Sequence, residues 1–324
     1  MGEFWTLRGL NEVPADVKGC VVAIGNFDGL HRGHQSIIRQ TLDIAKKSGK
    51  KALVLTFEPH PRDLFAPAPF MFRLTNGEQK AKIIEALGMD GIVIMPFDRQ
   101  LAALDAEQFV TRFLVSALGV STIVVGQDFH FGKGRAGTPL FLKQSGEKHG
   151  FEVVQLSLLE SENDPVSSSR IRASLNTGEL DHANRLLGYH WMVGGEVVLG
   201  DQRGRKLGYP TANFKLDKTC LLAQGVYGVK VRLSQRLFDG VASFGKPMFD
   251  IHHCPFEVHI FDFDEDIYGQ LIEVALITHI RGQMTFEGLK ELIAQMDEDS
   301  KKAKKALDEV EPLSPLDKKL GFII

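Results

Sequence analysis

Over the first half of the chain, short apolar runs alternate with helical patterns. "CVVAIG" (20–25) and "KALVLTF" (51–57) predict buried strands, because each is continuously apolar and too short for a helix. Between them, "HQSIIRQTLDIAKKSGK" places Ile38, Leu42 and Ala45 on one helical face, with Gly49 where a C-cap is expected. "GIVIMPF" and "STIVVG" repeat the strand type, preceded by the helical stretches "GEQKAKIIEALG" and "AEQFVTRFLVSALG", and "FEVVQL" predicts a fifth strand. Strands alternating with helices predict a parallel sheet covered on both faces, with ligands at the carboxyl ends of the strands. After about residue 186 the rhythm changes. "MVGGEVVLG", "GVYGVKVRLS", "DGVASFG", "FEVHIFDF" and "LIEVALITHI" are short, turn-punctuated runs that predict a small antiparallel barrel or sandwich. One amphipathic helix, "TFEGLKELIAQMDEDSKKAKKAL", is expected to close the chain, its charged side solvated.

Composition then narrows the classes. A chain of 324 residues, 44% hydrophobic, can build two domains with separate cores. Lys+Arg 38 against Asp+Glu 41 leaves a net charge of -3, which offers no basic footprint for nucleic acid. No apolar run reaches the ~20 residues of a membrane span, and the first residues lack a signal-peptide layout. Cys20, Cys220 and Cys254 are odd in number and far apart, without metal-ligand spacing. The expectation is a soluble cytoplasmic protein with neither nucleic-acid nor membrane partners.

"GNFDGLHRGH" (25–34) carries the densest chemistry. It follows a strand and opens a helix, so Gly25, Gly29 and Gly33 fall where the chain turns and backbone can approach a ligand. The helix N-terminus offers unpaired N–H groups to an anion, and His31 and His34 add donors to a phosphate that gains charge during attack. In "VSSSRIRASL" (166–175), Ser168 and Ser169 can cap a helix and Arg172 can contact phosphate. "DIHHCPF" holds His252, His253 and Cys254 but too few ligands at suitable spacing for zinc, so a solvent loop is expected there.

The H-x-G-H pattern resembles the signature of nucleotidylyltransferases, and "VSSSRIRASL" resembles the second signature of that superfamily. With "TFEPHPRDLF", "GQDFHFGKGRAGTP", "LGDQRGRKLGYPTANF" and "FEVHIFDFDEDIYG", the chain closely resembles the bacterial FAD synthetases, bifunctional riboflavin kinase/FMN adenylyltransferases, from about residue 5 to 308. The resemblance implies an α/β fold, with a Rossmann-like nucleotidylyltransferase domain over 1–185 and a small antiparallel β-barrel kinase domain with a C-terminal helix over 186–324. It implies ATP at the histidine turn, with Gly25, Phe27, Asp28 and Gly33 around its phosphates and His31 and His34 stabilising the transition state. Ser168, Ser169 and Arg172 match triphosphate-holding positions; Pro59, Pro61 and Asp128 match flavin-side positions. In the second half "GYPTANF" resembles the kinase signature. There Gly208, Thr211 and Asn213 would meet ATP phosphates, Thr211 and Asn213 would hold Mg²⁺, Glu257 would be the catalytic base and Arg281 would face flavin. The implied substrates are riboflavin, FMN and ATP, with FAD as product.

Departures from the family pattern cluster in that half. Leu199 replaces a usual histidine, Lys246 and Met248 stand in "GKPMF", and Gly282 and Gln283 replace a usual Pro-Glu pair. They leave open a chain whose barrel binds flavin as a regulatory module without phosphorylating it. A third reading is a nucleotidylyltransferase acting on a different phosphate ester. Alternation in E-V-H-I-F-D-F does not by itself decide which way Glu257 points.

Overall fold

The computed structural model describes residues 4–68, 70–157, 159–161, 164–200, 204, 207–245 and 255–323. The chain divides into two compact units, Met1–Ser168 and Ser169–Ile324.

The first unit is built on a parallel sheet. Its strands are β1 (Trp5–Arg8), β2 (Val21–Ile24), β3 (Ala52–Glu58), β4 (Gly91–Pro96), β5 (Thr122–Gly126) and β6 (Glu152–Leu156), in the order β1-β4-β3-β2-β5-β6. A two-residue antiparallel pair, β7 (Glu160–Ser161) and β8 (Asp164–Pro165), follows. Every residue of β2 is buried, and Val21 pairs with both Ala52 and Thr122, so β2 lies between β3 and β5. The strand order reverses around β2, the kind of switch point at whose carboxyl ends open α/β sheets bind ligands. The helices are α1 (Arg32–Ser48), α2 (Pro61–Leu64), α3 (Gly77–Leu87), α4 (Arg99–Ala103), α5 (Ala106–Phe109) and α6 (Pro139–His149). α1 buries Ile38 and Ala45 against β2, β3 and β5, and ends at Gly49, whose φ of 64° suits a residue without Cβ. A reciprocal Asn76–Gln79 capping box starts α3.

Two details differ from the sequence expectation. The sheet has six strands rather than five, because β1 is a half-exposed edge strand with no continuous apolar run. β1 runs so close to β4 that a Cβ on Gly91 would stand 2.7 Å from the Trp5 carbonyl. The helical stretch at 106–119 opens as α5 and continues over Val110–Ala117 with π-type winding; Leu118 N–H, for example, donates to the Phe113 carbonyl.

The second unit begins with α7 (Ser168–Thr177) and α8 (Leu180–Leu187), the division falling at the first residue of α7. α8 belongs to the barrel: buried Asn184 donates to the Leu276 carbonyl (3.1 Å) and accepts from Trp191 N–H (2.9 Å). The barrel strands are β9 (Met192–Glu196), β10 (Ala212–Lys215), β11 (Gly225–Leu233), β12 (Arg236–Phe244), β13 (Pro255–Ile260) and β14 (Leu271–Gly282). All pair antiparallel in the order β10-β13-β12-β11-β14-β9. A bridge from Val198 N–H to the Asn213 carbonyl (2.7 Å) brings the two edges together and nearly closes the barrel. Phe214, Phe256, Phe244 and Val258 fill the core, and α9 (Leu289–Asp308) packs across β11, β12 and β14.

α9 does not close the chain. α10 (Pro315–Leu320) follows, and Phe322 and Ile323 are buried after it. The Asp317 carboxylate accepts hydrogen bonds from His190 N–H (3.0 Å), His190 Nδ1 (2.8 Å) and Leu313 N–H (2.9 Å), latching this segment to residues 188–190.

Candidate active sites

The histidine turn sits at the carboxyl end of β2, between that strand and α1. Phe27, Gly29 and Leu30 all take positive φ (47°, 79° and 42°), a conformation held by the surroundings and not by preference. Phe27 and Leu30 are buried, Thr56 Oγ1 donates to the Asn26 carbonyl (3.0 Å), and Gly29 N–H donates to Thr75 Oγ1 (3.0 Å). Asp28 is buried within the turn, and its Oδ1 accepts from Leu74 N–H (2.9 Å) and Thr75 N–H (3.1 Å). Asp28 therefore ties the turn to the 74–75 segment. Gly25 and Gly33 both lie under rings: a Cβ would stand 3.2 Å from Phe27 and 3.1 Å from His31, respectively.

His31 caps α1, its Nδ1 accepting from His34 N–H at 3.4 Å, and the two imidazoles stack with centroids 3.7 Å apart. His34 Nδ1 is buried with no hydrogen-bond partner among the described residues. Burial first, then the neighbouring His31 and Lys80, holds the His34 imidazole well below the usual histidine range, so it is uncharged at neutral pH. Ser168 joins the turn directly, its Oγ donating to the Asp28 carbonyl (2.9 Å). Ser169 and Arg172 follow in the first turns of α7.

The flavin-side positions lie at the same end of the sheet. Pro59 follows β3 through a cis Glu58–Pro59 peptide, and Pro61 opens α2, capped by His60 Nδ1 accepting from Arg62 N–H. Exposed Asp128 follows β5, the neighbour of β2. The sequence reading missed one cluster here. Lys80 is only 3% exposed and pairs with Glu58 (3.0 Å), which also takes Arg73 (3.2 Å). The signal was present: Lys80 shares a helical face with buried Ile83 and Ile84, where a charge is out of place.

In the barrel, β10 and β13 bring three predicted residues together. Asn213 and Glu257 are direct partners in the register, and Asn213 Nδ2 donates to the Thr211 carbonyl (3.1 Å) and to Thr211 Oγ1 (3.2 Å). Phe256, Val258 and Ile260 are buried whereas Glu257 and His259 are partly exposed, so Glu257 points away from the core. This settles the direction that alternation left open. His259 Nδ1 hydrogen-bonds the Pro210 carbonyl (2.9 Å), tying the strand of Glu257 to the residue before Thr211. Gly208 takes φ 83° in the preceding turn, a conformation few other residues would adopt. A cavity of about 240 Å³ opens beside Thr211, lined by the apolar Val197, Val258, Ile260 and Ile267 and by the acidic Asp264, Glu265 and Asp266. Its apolar wall was not singled out from sequence, because these residues lie on separate strands and loops.

Arg281 is tied down by Asp299, donating from Nε (3.0 Å) and Nη2 (2.8 Å), and its Nη1 donates to the Gly282 carbonyl. Gln283 Nε2 donates to the Phe244 carbonyl (3.0 Å), and Leu199 is exposed. Lys246, Met248, His252, His253 and Cys254 lie outside the described residues. Among the described residues no cluster of three His, Cys, Asp or Glu could hold a metal. The hydroxyl of Thr211 and the amide of Asn213 are neutral oxygen donors of the kind Mg²⁺ accepts alongside substrate phosphates.

A family profile for FAD synthetase matches residues 13–170, and one for riboflavin kinase matches residues 187–307. The bifunctional riboflavin kinase/FMN adenylyltransferase of Escherichia coli (strain K12) is 37% identical over 296 residues, covering 90% of this chain and 95% of the relative. The protein of the same description from Haemophilus influenzae is 36% identical over 300 residues, covering 92% of this chain and 97% of the relative. A solved Streptococcus pneumoniae structure, titled a macrolide-efflux protein, superposes with a TM-score of 0.81 at 31% identity, covering 95% of this chain and 99% of that one. Among the described residues here, no helix is long and apolar enough to cross a membrane.

Proposed function

From the premise that this chain belongs to the bifunctional riboflavin kinase/FMN adenylyltransferase family, we propose how its own residues divide the two reactions. The chain phosphorylates riboflavin to FMN and adenylylates FMN to FAD, using ATP in both steps. Two family profiles on one chain favour this reading over a barrel that only binds flavin.

In the barrel, Glu257 takes the proton of the terminal riboflavin hydroxyl, whose oxygen attacks the γ-phosphorus of ATP and expels ADP. Thr211 and Asn213 would hold Mg²⁺, which would neutralise the ATP phosphates. The cavity beside Thr211, which Val197, Val258, Ile260 and Ile267 line together with Asp264, Glu265 and Asp266, would take the purine. One observation carries the kinase assignment: the register sets Asn213 directly against Glu257.

In the first unit, an FMN phosphate oxygen attacks the α-phosphorus of ATP and pyrophosphate leaves. FMN phosphate is already an anion, so positioning and charge neutralisation replace a base. His31 and His34 donate hydrogen bonds toward the phosphates from the N-terminus of α1, and Gly25, Gly33 and the Phe27–Asp28 turn shape that floor. Ser168, Ser169 and Arg172 hold the triphosphate, and Pro59, Pro61 and Asp128 flank the flavin. The boundary between the adenylyltransferase and kinase domains, expected from sequence near residue 185, is better drawn before α7 and α8, because Asn184 of α8 bonds to the barrel. Free Cys20 and Cys220 suit a reducing compartment, which supports a cytoplasmic enzyme.

Incubation with riboflavin, ATP and Mg²⁺ should yield both FMN and FAD. Glu257→Gln keeps the side-chain shape but not proton acceptance, so FMN formation should fall about 10²–10⁴-fold. FAD formation from supplied FMN should survive. FMN formation within about threefold of the parent would remove Glu257 from the base role.

A further inference from the structure

The cavity beside Thr211 owes much of its lining to one loop. Phe263, Asp264, Glu265, Asp266, Ile267 and Tyr268 are consecutive and all border it. The loop leaves β13 through Asp262, which takes φ 53°, just after Phe261 N–H donates to the Asp239 carbonyl of β12 (2.8 Å). It returns where Gly269 N–H donates to the Val197 carbonyl and Val197 N–H to the Gln270 carbonyl, both at 2.9 Å. Between these ends, Phe263, Asp264 and Glu265 make no backbone hydrogen bond to a barrel strand among the described residues. Side chains from the start of β12 hold them instead. Arg236 bridges both Glu265 oxygens, Nη1 to Oε1 and Nη2 to Oε2, each at 2.7 Å. Its guanidinium lies 5.1 Å from the Phe238 ring centroid and 6.0 Å from that of Phe263, and those two rings meet edge to face at 5.0 Å. An exposed ion pair alone contributes little, but a two-pronged bridge set on aromatic rings fixes direction as well as charge. Charge calls for it too: the successive carboxylates of Asp264, Glu265 and Asp266 repel one another and repel a phosphate chain.

Resting on the reading of this cavity as the purine site of the kinase, we propose that Arg236 is a positioning residue for the nucleotide of riboflavin phosphorylation. Through Glu265 and Phe263 it keeps the 263–268 loop closed on the barrel, so the cavity wall is formed before ATP arrives. Its two hydrogen bonds to Glu265 end on the loop, so its loss acts on binding and not on the chemical step.

The test uses the full chain with Arg236→Met, which keeps an unbranched stem and loses the charge. KM for ATP in riboflavin phosphorylation should rise about three- to tenfold, the scale of a site no longer formed in every molecule, with kcat within about twofold of the parent. FAD formation from supplied FMN should keep its KM for ATP, because that reaction belongs to the first unit. In hydrogen-exchange mass spectrometry without nucleotide, the amides of 263–268 should exchange faster in the variant. A merely structural role would lower thermal stability, speed exchange throughout the barrel and leave KM in place. A KM for ATP raised less than about threefold, or unchanged exchange over 263–268, overturns the proposal. If the Met variant does not fold, Arg236→Lys, which keeps the charge but cannot bridge both oxygens at once, faces the same two criteria. In the parent, ATP with Mg²⁺ should slow exchange over 263–268. Without that slowing the purine reading of the cavity fails and takes the proposal with it; slowing in the parent with an unmoved KM in the variant sinks the role of Arg236 alone.

Discussion

Replacing Asp317 by Ala should release the C-terminal latch without touching the kinase chemistry. Three hydrogen bonds end on this carboxylate, from His190 N–H, His190 Nδ1 and Leu313 N–H. Asp317 and His190 are both almost fully buried, so water cannot replace the lost acceptor while the segment stays docked. Each stranded donor costs about 1–3 kcal/mol, and removing one partner of a buried pair costs about 3–5 kcal/mol. These figures describe the same contacts and do not add, so about 3–5 kcal/mol is expected. For a unit of roughly 150–200 residues, ~2–4 °C of Tm accompanies each kcal/mol. The transition of the second unit should therefore drop by about 6–20 °C in calorimetry of the full chain. pH offers a second reading of the same contact. Burial pushes the Asp317 carboxyl up, but the hydrogen bond and charge of His190 and the Leu313 and His190 amides outweigh it, leaving it below its ordinary value. A depressed folded-state value stabilises the fold above the unfolded carboxylate value of about 3.9. That contribution is lost as pH falls through the folded value, so parent and variant should converge in strong acid. Thr211, Asn213 and Glu257 are not among the partners of Asp317, so riboflavin phosphorylation at 25 °C should stay within about threefold. A Tm change under about 2 °C would refute the latch, and a collapse of kinase rate at unchanged Tm would refute its separation from the site.

Two further outcomes test the division of labour. His34→Ala should lower FAD formation from FMN by about 10² or more, the cost of a transition-state donor, with FMN formation intact; equal losses in both would mean general unfolding. A fragment of residues 169–324 should fold and phosphorylate riboflavin, whereas 186–324 lacks α8 and the Asn184 bonds to Leu276 and Trp191, and should melt at lower temperature. Equal melting of the two fragments would place α8 outside the barrel's cooperative unit.

Periodicity was enough for the inner strands β2 to β5, because a parallel strand buried on both faces must be continuously apolar, and the short apolar run of the edge strand β6 was also readable. β1 escaped notice since an edge strand alternates and is short, and α10 was missed because its six residues carry little pattern. The chemistry of the histidine turn was legible for the same local reason: glycines, a cap and two imidazoles must lie within ten residues to build an anion floor after one strand. Asn213 and Glu257 were named from sequence, but their meeting was decided by the β10–β13 register, a pairing across 44 positions of chain that no local pattern encodes. The direction of Glu257 was likewise decided by closure, which committed Phe256, Val258 and Ile260 to the core. Lys80 shows the limit most clearly. Its helix and its anomalous place on an apolar face could be read from the chain alone. Only the fold, which packs α3 against β4 and α1, supplied Glu58 as its counter-ion, because charge is compensated through space, by whatever the fold brings within reach.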